Sequence, residues 1–186
     1  MDSLKLFMFL LGCKPEGRHT EQHDIFFGVA AAVKELIPAI KAFWPEGGEG
    51  IHIDAWREVT CVNGYCIRVL PAAQQVPGST ENSSKLFFLN LGGYKADEFE
   101  EFHYKVLSVA KDKNSAIKEA KQTTFFKHAA SAHVDDKYGI DVDDIYEVAD
   151  ILPQSVKSAW RLQVTPDDGT AKQDEVYLGY FKLNSF

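Results

Sequence analysis

The side chains best suited to chemistry in this sequence lie in one short polar segment and one later polar stretch. The residues are Arg18, His19, Glu21, His23 and Asp24 in the first, and His52 and Asp54 in the second. Alternate residues of an extended chain share a face, so we expect His52 and Asp54 to point the same way, as His19, Glu21 and His23 would. If the two stretches are strands lying side by side, imidazole and carboxylate groups gather at one place. Such a set is typical of a divalent metal site or of a general acid–base pair.

The same residues also have a structural interpretation. Histidine and aspartate near strand ends often cap backbone groups or bond each other across a sheet. Arg18 would then pair with a carboxylate, and the histidines would donate to backbone groups. The sequence leaves structural, ligand-binding and catalytic roles open. It predicts no definite cofactor, and a divalent metal held by His23, His52 and Asp54 stays a candidate.

An internal repeat organises the chain. Lys5 to Gly12 and Lys85 to Gly92 share five of eight residues at an offset of 80, and Glu21 and His23 then match Glu101 and His103. With one residue inserted, a second set matches, namely His52, Asp54, Tyr65 and Ile67 with His133, Asp135, Tyr146 and Val148. Ordered matches of this kind are the signature of tandem duplication. We predict two modules of about 80 residues.

Each module is predicted to run strand, strand, helix, strand. The predicted boundaries are 1–70 for the first module, 71–84 for a polar linker, 85–152 for the second module, and 153–186 for a C-terminal strand extension. Pro38 should kink or restart the first helix, and Asn114 is the expected N-cap of the second.

The first module is expected to carry an extra hairpin. Asn63-Gly64 is a strong two-residue turn signal. It would place Cys61 opposite Cys66, either as a redox pair or soft-metal clip or, as we favour, as two small apolar residues. The acidic residues Asp135, Asp136, Asp141, Asp143 and Asp144 are expected to form a solvated turn, because they lack the pattern of a calcium loop.

The first strand of each module is apolar on both faces, unlike a half-exposed strand. We expect one face to pack on the module's own helix and the other to be covered by the second module. The predicted fold class is therefore α+β, with mostly antiparallel sheets, one helix per module, and the modules packed as an intrachain pseudo-dimer.

Composition narrows the classes of partner. The 186 residues carry a net charge of −7 and show no basic cluster, which argues against nucleic acid and against a membrane surface. We expect no signal peptide or membrane span. Three sparse cysteines suit a reducing compartment, so a cytoplasmic location is predicted.

Several motifs resemble an uncharacterised bacterial family, a domain of unknown function found in one or two copies per chain. They are the segment 17–24, Phe43-Trp44-Pro45, the segment 52–56, and the segment 88–94. The resemblance implies a bacterial, intracellular protein and implies no activity.

Two functions follow from the sequence. The first is a non-enzymatic scaffold or binding protein for a small molecule or a protein, either a monomeric pseudo-dimer or a homodimer. The alternative is a small metal- or histidine-dependent enzyme, such as a hydrolase, with its site near His23 and His52. An asymmetric site favours the enzyme, because the first module has the fuller polar set.

Overall fold

The computed structural model describes residues 3–74, 83–94, 97–122 and 141–186. The chain divides into two compact units. The first comprises Met1–Gln74 and Leu152–Phe186, and the second comprises Gln75–Ile151. The described strands and helices confirm the α+β class. No helix within the described ranges has the length and apolar character needed to cross a membrane.

Ten strands are described. They are β1 Lys5–Cys13, β2 Gln22–Ala30, β3 His52–Glu58, β4 Cys61–Val62, β5 Tyr65–Pro71, β6 Lys85–Tyr94, β7 Glu101–Ala110, β8 Asp141–Glu147, β9 Trp160–Pro166 and β10 Tyr177–Lys182. The α-helices are α1 Ile37–Phe43, α2 Lys113–Ala120, α3 Val148–Ile151 and α4 Gln154–Ala159. Three 3₁₀ helices cover Val33–Leu36, Pro45–Gly50 and Leu183–Ser185.

All strand pairs with a described register are antiparallel. The first unit contains a sheet of order β10-β3-β1-β2 and a second of order β4-β5-β9, and the other unit contains β7-β6-β8. The C-terminal strands thus extend the sheets of the first unit, because β10 pairs with β3 and β9 pairs with β5.

The central strands β1 and β6 are buried along most of their length. Leu11 is 0% exposed and Phe87 is 2% exposed, as their apolar surroundings predict. Neighbours of opposite orientation are buried too: Leu6 beside Phe7, and Phe88 beside Phe87. Burial of both strand faces is therefore confirmed.

Each unit has its own apolar cluster on one side of its central strand. In the first unit Phe9, Leu11 and Ile53 pack with Ile40 of α1. In the second, Leu89 and Leu91 pack with Ala116 and Ala120 of α2.

The helices begin where the sequence allows them to. Pro38 lies in the first turn of α1, after the 3₁₀ helix Val33–Leu36, so the expected restart is confirmed. The expected N-cap of α2 was wrong. Asp112, not Asn114, is the cap, and its carboxylate accepts a 2.8 Å hydrogen bond from the Ser115 amide. Asp112 has the extended backbone that a cap requires, while Asn114 already lies inside the helix.

The predicted hairpin is confirmed. Cys61 pairs with Cys66 and Val62 with Tyr65. Asn63 and Gly64 have φ values of 50° and 77°, the left-handed conformation of a type I′ turn.

The third strand of the second unit does not lie where the repeat predicted. Gly92 of β6 pairs with Asp141, as Gly12 of β1 pairs with His52. Both pairings contain a bulge near this glycine, between Leu10 and Leu11 in β1 and between Asn90 and Leu91 in β6. The register therefore relates β3 to β8 by an offset of 141 − 52 = 89, not 81.

The matches of Tyr65 with Tyr146 and Ile67 with Val148 were consequently wrong. Tyr65 belongs to β5 and pairs with β9, whereas Tyr146 belongs to β8 and pairs with β6. The predicted counterparts His133 and Asp135 lie outside the described residues.

Candidate functional site

A row of residues crosses the sheet of the first unit at Gly12. Gly12 pairs with His23 of β2 on one side and with His52 of β3 on the other. The polar strands are thus not side by side, since β1 lies between them. The two histidines nevertheless share one face of the sheet, because residues paired in register point the same way.

A bulge in β3 brings Asp54 into this row. Leu11 pairs with Ile53 and Leu10 with Ala55, which leaves Asp54 as the extra residue. Bulges of this type re-aim side chains and are common beside functional sites.

Gly12 provides the space in which the side chains meet. A Cβ atom at this position would lie 2.5 Å from Asp54 Oδ2 and 2.6 Å from His52 Nε2. Any other residue would displace them, so a glycine is required here by close approach of side chains and not by its backbone angles.

Four side chains converge over Gly12. His23 Nε2 lies 3.1 Å from Asp54 Oδ2 and 3.7 Å from Glu21 Oε2. His52 Nε2 lies 3.2 Å from Glu21 Oε1 and 3.3 Å from Asp54 Oδ1. Each imidazole nitrogen therefore faces both carboxylates. We call Glu21, His23, His52 and Asp54 the first cluster.

The protonation of His52 is constrained by its other nitrogen. Nδ1 lies 3.1 Å from the carbonyl oxygen of Gly50. A carbonyl can only accept, so Nδ1 carries the proton. His52 is 4% exposed, and its Nε2 has no hydrogen-bond partner among the described residues.

Two states of His52 fit this arrangement. In the neutral state the bare Nε2 lone pair faces two carboxylates, which is unfavourable unless a cation lies between them. In the charged state Nε2–H donates to Glu21 and Asp54, and the cluster is a structural ion pair. The geometry of the first state is that of a metal ligand whose second nitrogen is fixed by a backbone carbonyl.

Tyr180 of β10 covers the His52 ring. The ring centroids lie 4.1 Å apart at an interplanar angle of 32°. Sequence reasoning missed both Tyr180 and Gly12. The repetition of Leu-Gly at positions 11–12 and 91–92 was a signal for Gly12, but nothing local to His52 pointed to Tyr180.

The structure does not bring the other predicted site residues into the cluster. Arg18 and His19 lie in the exposed segment before β2, and no described hydrogen bond or ion pair joins their side chains to the four. Asp24 accepts a 2.7 Å hydrogen bond from the Ile25 amide. The expected pairing of Arg18 with a carboxylate is absent among the described ion pairs.

The second unit has a related group, which we call the second cluster: Glu101, His103 and Asp143. His103 Nε2 lies 3.7 Å from Glu101 Oε2 and 3.3 Å from Asp143 Oδ2. Asp141 and Asp143 belong to strand β8, so the expectation of a solvated turn was wrong for this part of the acidic run. Asp141 occupies the register position of His52.

The cysteines do not resemble reactive thiols. All three are free. Burial, followed by Glu21, raises the pKa of Cys13. Burial and the Asp167 carboxylate raise the pKa of Cys66. Reactive cysteines have lowered pKa values, so the geometry favours the apolar interpretation of the Cys61–Cys66 pair.

A pocket of about 440 Å³ lies in the same unit, and the four residues of the first cluster are not part of its wall. Its wall includes Tyr180, Ile51, Lys41 and Lys182. Lys41 pairs with Glu49 at 2.9 Å, and Lys182 pairs with His52 in the strand register. The pocket has room for a small molecule, and Tyr180 belongs both to its wall and to the cover of the His52 ring.

The fold and the cluster define an α+β protein with a histidine–carboxylate site. Residues 18–69 match the family described as Domain of Unknown Function (DUF1543). The resemblance to an uncharacterised family is thus confirmed, and the matched segment contains all four residues of the first cluster. No curated protein matches the chain.

A solved structure shares the fold. The chain is similar to protein Il1583 from the bacterium Idiomarina loihiensis, whose crystal structure matches with a TM-score of 0.64 at 24% sequence identity. The match covers 97% of this chain and 98% of the other. At this identity the likeness concerns the fold alone.

Proposed function

We propose that this chain is a non-enzymatic metal-binding protein whose first cluster holds a divalent transition-metal ion, Zn²⁺ in the first place. The observation that carries the proposal is His52 Nε2. It is buried, has no described hydrogen-bond partner, and faces two carboxylates while Nδ1 is fixed by Gly50. A cation between these groups satisfies all of them at once.

The spacing of the ligand atoms supports this function. Zn²⁺ binds imidazole and carboxylate atoms at about 2.0–2.2 Å in a tetrahedron, so neighbouring ligand atoms lie about 3.4 Å apart. The four nitrogen–oxygen distances in the cluster are 3.1, 3.2, 3.3 and 3.7 Å. Each carboxylate faces the two histidines with different oxygen atoms, so ion binding requires each carboxylate to turn one oxygen toward the ion.

The ligand types indicate the metal. Two imidazoles suit zinc, nickel or copper better than magnesium or calcium. Two carboxylates balance the double charge of the ion. Its four protein ligands resemble a closed structural site, whereas catalytic zinc sites keep one position open for water. This difference favours binding over catalysis.

Isothermal titration of the full chain with ZnCl₂ at pH 7 tests the proposal, because a metal site binds zinc and a structural ion pair does not. The metal site predicts one high-affinity ion per chain, with His23→Ala and His52→Ala each weakening binding roughly 100-fold or more. His19→Ala is the matched control, since it removes an imidazole from the same segment but outside the cluster. Absence of zinc binding in the unaltered chain refutes the proposal.

A second candidate function is a small metal-dependent hydrolase, favoured by the pocket beside Tyr180. The supporting observation is that Tyr180 both lines this pocket and covers the His52 ring. The absorption spectrum of the Co²⁺-substituted chain discriminates the two functions. A closed site gives four-coordinate cobalt that is unchanged by added azide, while an open site changes its spectrum when azide binds.

We also propose that the two units are tandem copies. Both central strands pair with their neighbours in the same register, with the same bulge. An ion pair recurs at the same place, Lys5–Glu58 at 2.8 Å and Lys85–Glu147 at 2.7 Å. Packing of the copies as a pseudo-dimer and a cytoplasmic location remain predictions, the latter supported by three free thiols.

A further inference from the structure

The second cluster also places ligand atoms around a common centre. Oxygen atoms of Glu101 and Asp143 and a ring nitrogen of His103 all lie within 4.8 Å of one another. The group is more than a set of acidic residues, because the imidazole Nε2 faces both carboxylates. Each of the three can offer one atom to the same ion.

The backbone beneath this cluster is shaped as it is in the first unit. Gly92 pairs with His103 on one side and Asp141 on the other. A Cβ at Gly92 would lie 2.4 Å from Asp143 Oδ2. The missing side chain therefore leaves room for the Asp143 carboxylate at the centre of the group, just as Gly12 leaves room for Asp54.

The chemistry of the second cluster differs from that of the first. Its residues supply one imidazole and two carboxylates, and an aspartate takes the register position of His52. All three side chains are partly exposed, Glu101 at 41%, His103 at 33% and Asp143 at 32%. Carboxylate-rich sites that keep bound water suit hard ions such as Mn²⁺.

We infer that the second cluster is a separate, weaker site for a hard divalent cation, with Mn²⁺ as the representative ion. The chain then carries two metal sites of different selectivity on one scaffold.

Titration with MnCl₂, followed by the electron paramagnetic resonance signal of free Mn²⁺, tests this site. The full chain is first loaded with one equivalent of ZnCl₂. We expect uptake of one Mn²⁺ per chain by the zinc-loaded unaltered protein and by His52→Ala titrated without zinc, and at least ~10-fold weaker uptake by zinc-loaded His103→Ala and Asp143→Asn. Glu98→Gln, an exposed acidic position outside the cluster, is the control.

Failure of the inferred Mn²⁺ site can be distinguished from failure of the proposed zinc site. If zinc does not bind, the same titration on the metal-free chain still reports on the second cluster through His103→Ala. Failure of the unaltered chain to take up Mn²⁺ overturns the inference. Uptake that survives in both His103→Ala and Asp143→Asn, or that is lost only in His52→Ala, also overturns it. Asp143→Asn preserves side-chain shape, so a folding defect in one variant does not leave the result undecided.

Discussion

The two clusters stand on the same backbone frame but differ in their ligands, since only the first contains a buried histidine on its third strand. A glycine of the central strand lies under each, flanked by a histidine on the second strand. The third strand contributes His52 in the first cluster and has Asp141 at that register position in the second. On our proposal, this one change of residue type alters the metal preference of an otherwise shared arrangement.

The strand that pairs with the third strand accounts for the burial of His52. In the first unit β10 pairs with β3 and brings Tyr180 onto the His52 ring. In the second unit β8 is the last strand of its sheet within the described residues. The C-terminal strand extension therefore covers His52, while the other three side chains of the first cluster are 26–46% exposed, much like those of the second cluster. Burial raises the cost of leaving a polar atom without a partner, so the first cluster has the stronger need for a cation.

The largest effect on stability is expected in the buried central strands, where the two units do not differ. Leu11→Asp and Phe87→Asp each place a charge in a fully buried strand, which costs several kcal/mol against a total stability of about 5–15 kcal/mol. Both variants should fail to give soluble folded protein, as judged by circular dichroism. Leu178→Asp is the control, because Leu178 is 74% exposed. A folded Phe87→Asp variant would show that the second core is less important than the first.

A glycine substitution tests the two clusters separately. Gly12→Ala places a methyl group against both Asp54 and His52, and it should weaken zinc binding by roughly 100-fold because both ligands must move. Gly92→Ala contacts only Asp143 among these ligands and should leave zinc binding unchanged. Calorimetric titration of the two variants measures the contrast. Equal zinc affinity in both would remove the role assigned to Gly12.

A smaller effect on stability is expected from the N-cap of helix α2. The Ser115 amide lowers the pKa of Asp112, and no side chain caps the helix Val33–Leu36 or α1. Asp112→Ala should lower the Tm by a few degrees, while Asp112→Asn retains most of the cap. Because the folded pKa is depressed, this stabilisation is present above the unfolded pKa and disappears as the pH falls through the folded value. A Tm difference between unaltered chain and Asp112→Ala that persists in strong acid would contradict the carboxylate's role.

The sequence predicted the positions of the strands along the chain better than it predicted which strands pair with each other. Apolar runs located β1 and β6, and Asn63-Gly64 located the hairpin, because these are local signals. It did not predict that β1 lies between His23 and His52, since strand order depends on the whole sheet. The repeat assigned His133 and Asp135 as the counterparts of His52 and Asp54 because the residue types match. The strand register instead gives these positions to Asp141 and Asp143. Tyr180 is distant in sequence, and only the pairing of β10 with β3 brings it to His52.

The central claim is tested most directly by X-ray diffraction at the zinc absorption edge from crystals of the full chain grown with one equivalent of ZnCl₂. Our account predicts one anomalous peak above Gly12, about 2.0–2.2 Å from Nε2 of both His23 and His52 and from a carboxylate oxygen of Glu21 and of Asp54. Nδ1 of His52 should still donate to Gly50. No peak at the first cluster, with His52 Nε2 hydrogen-bonded to Glu21 and Asp54 as in an imidazolium ion pair, would contradict it.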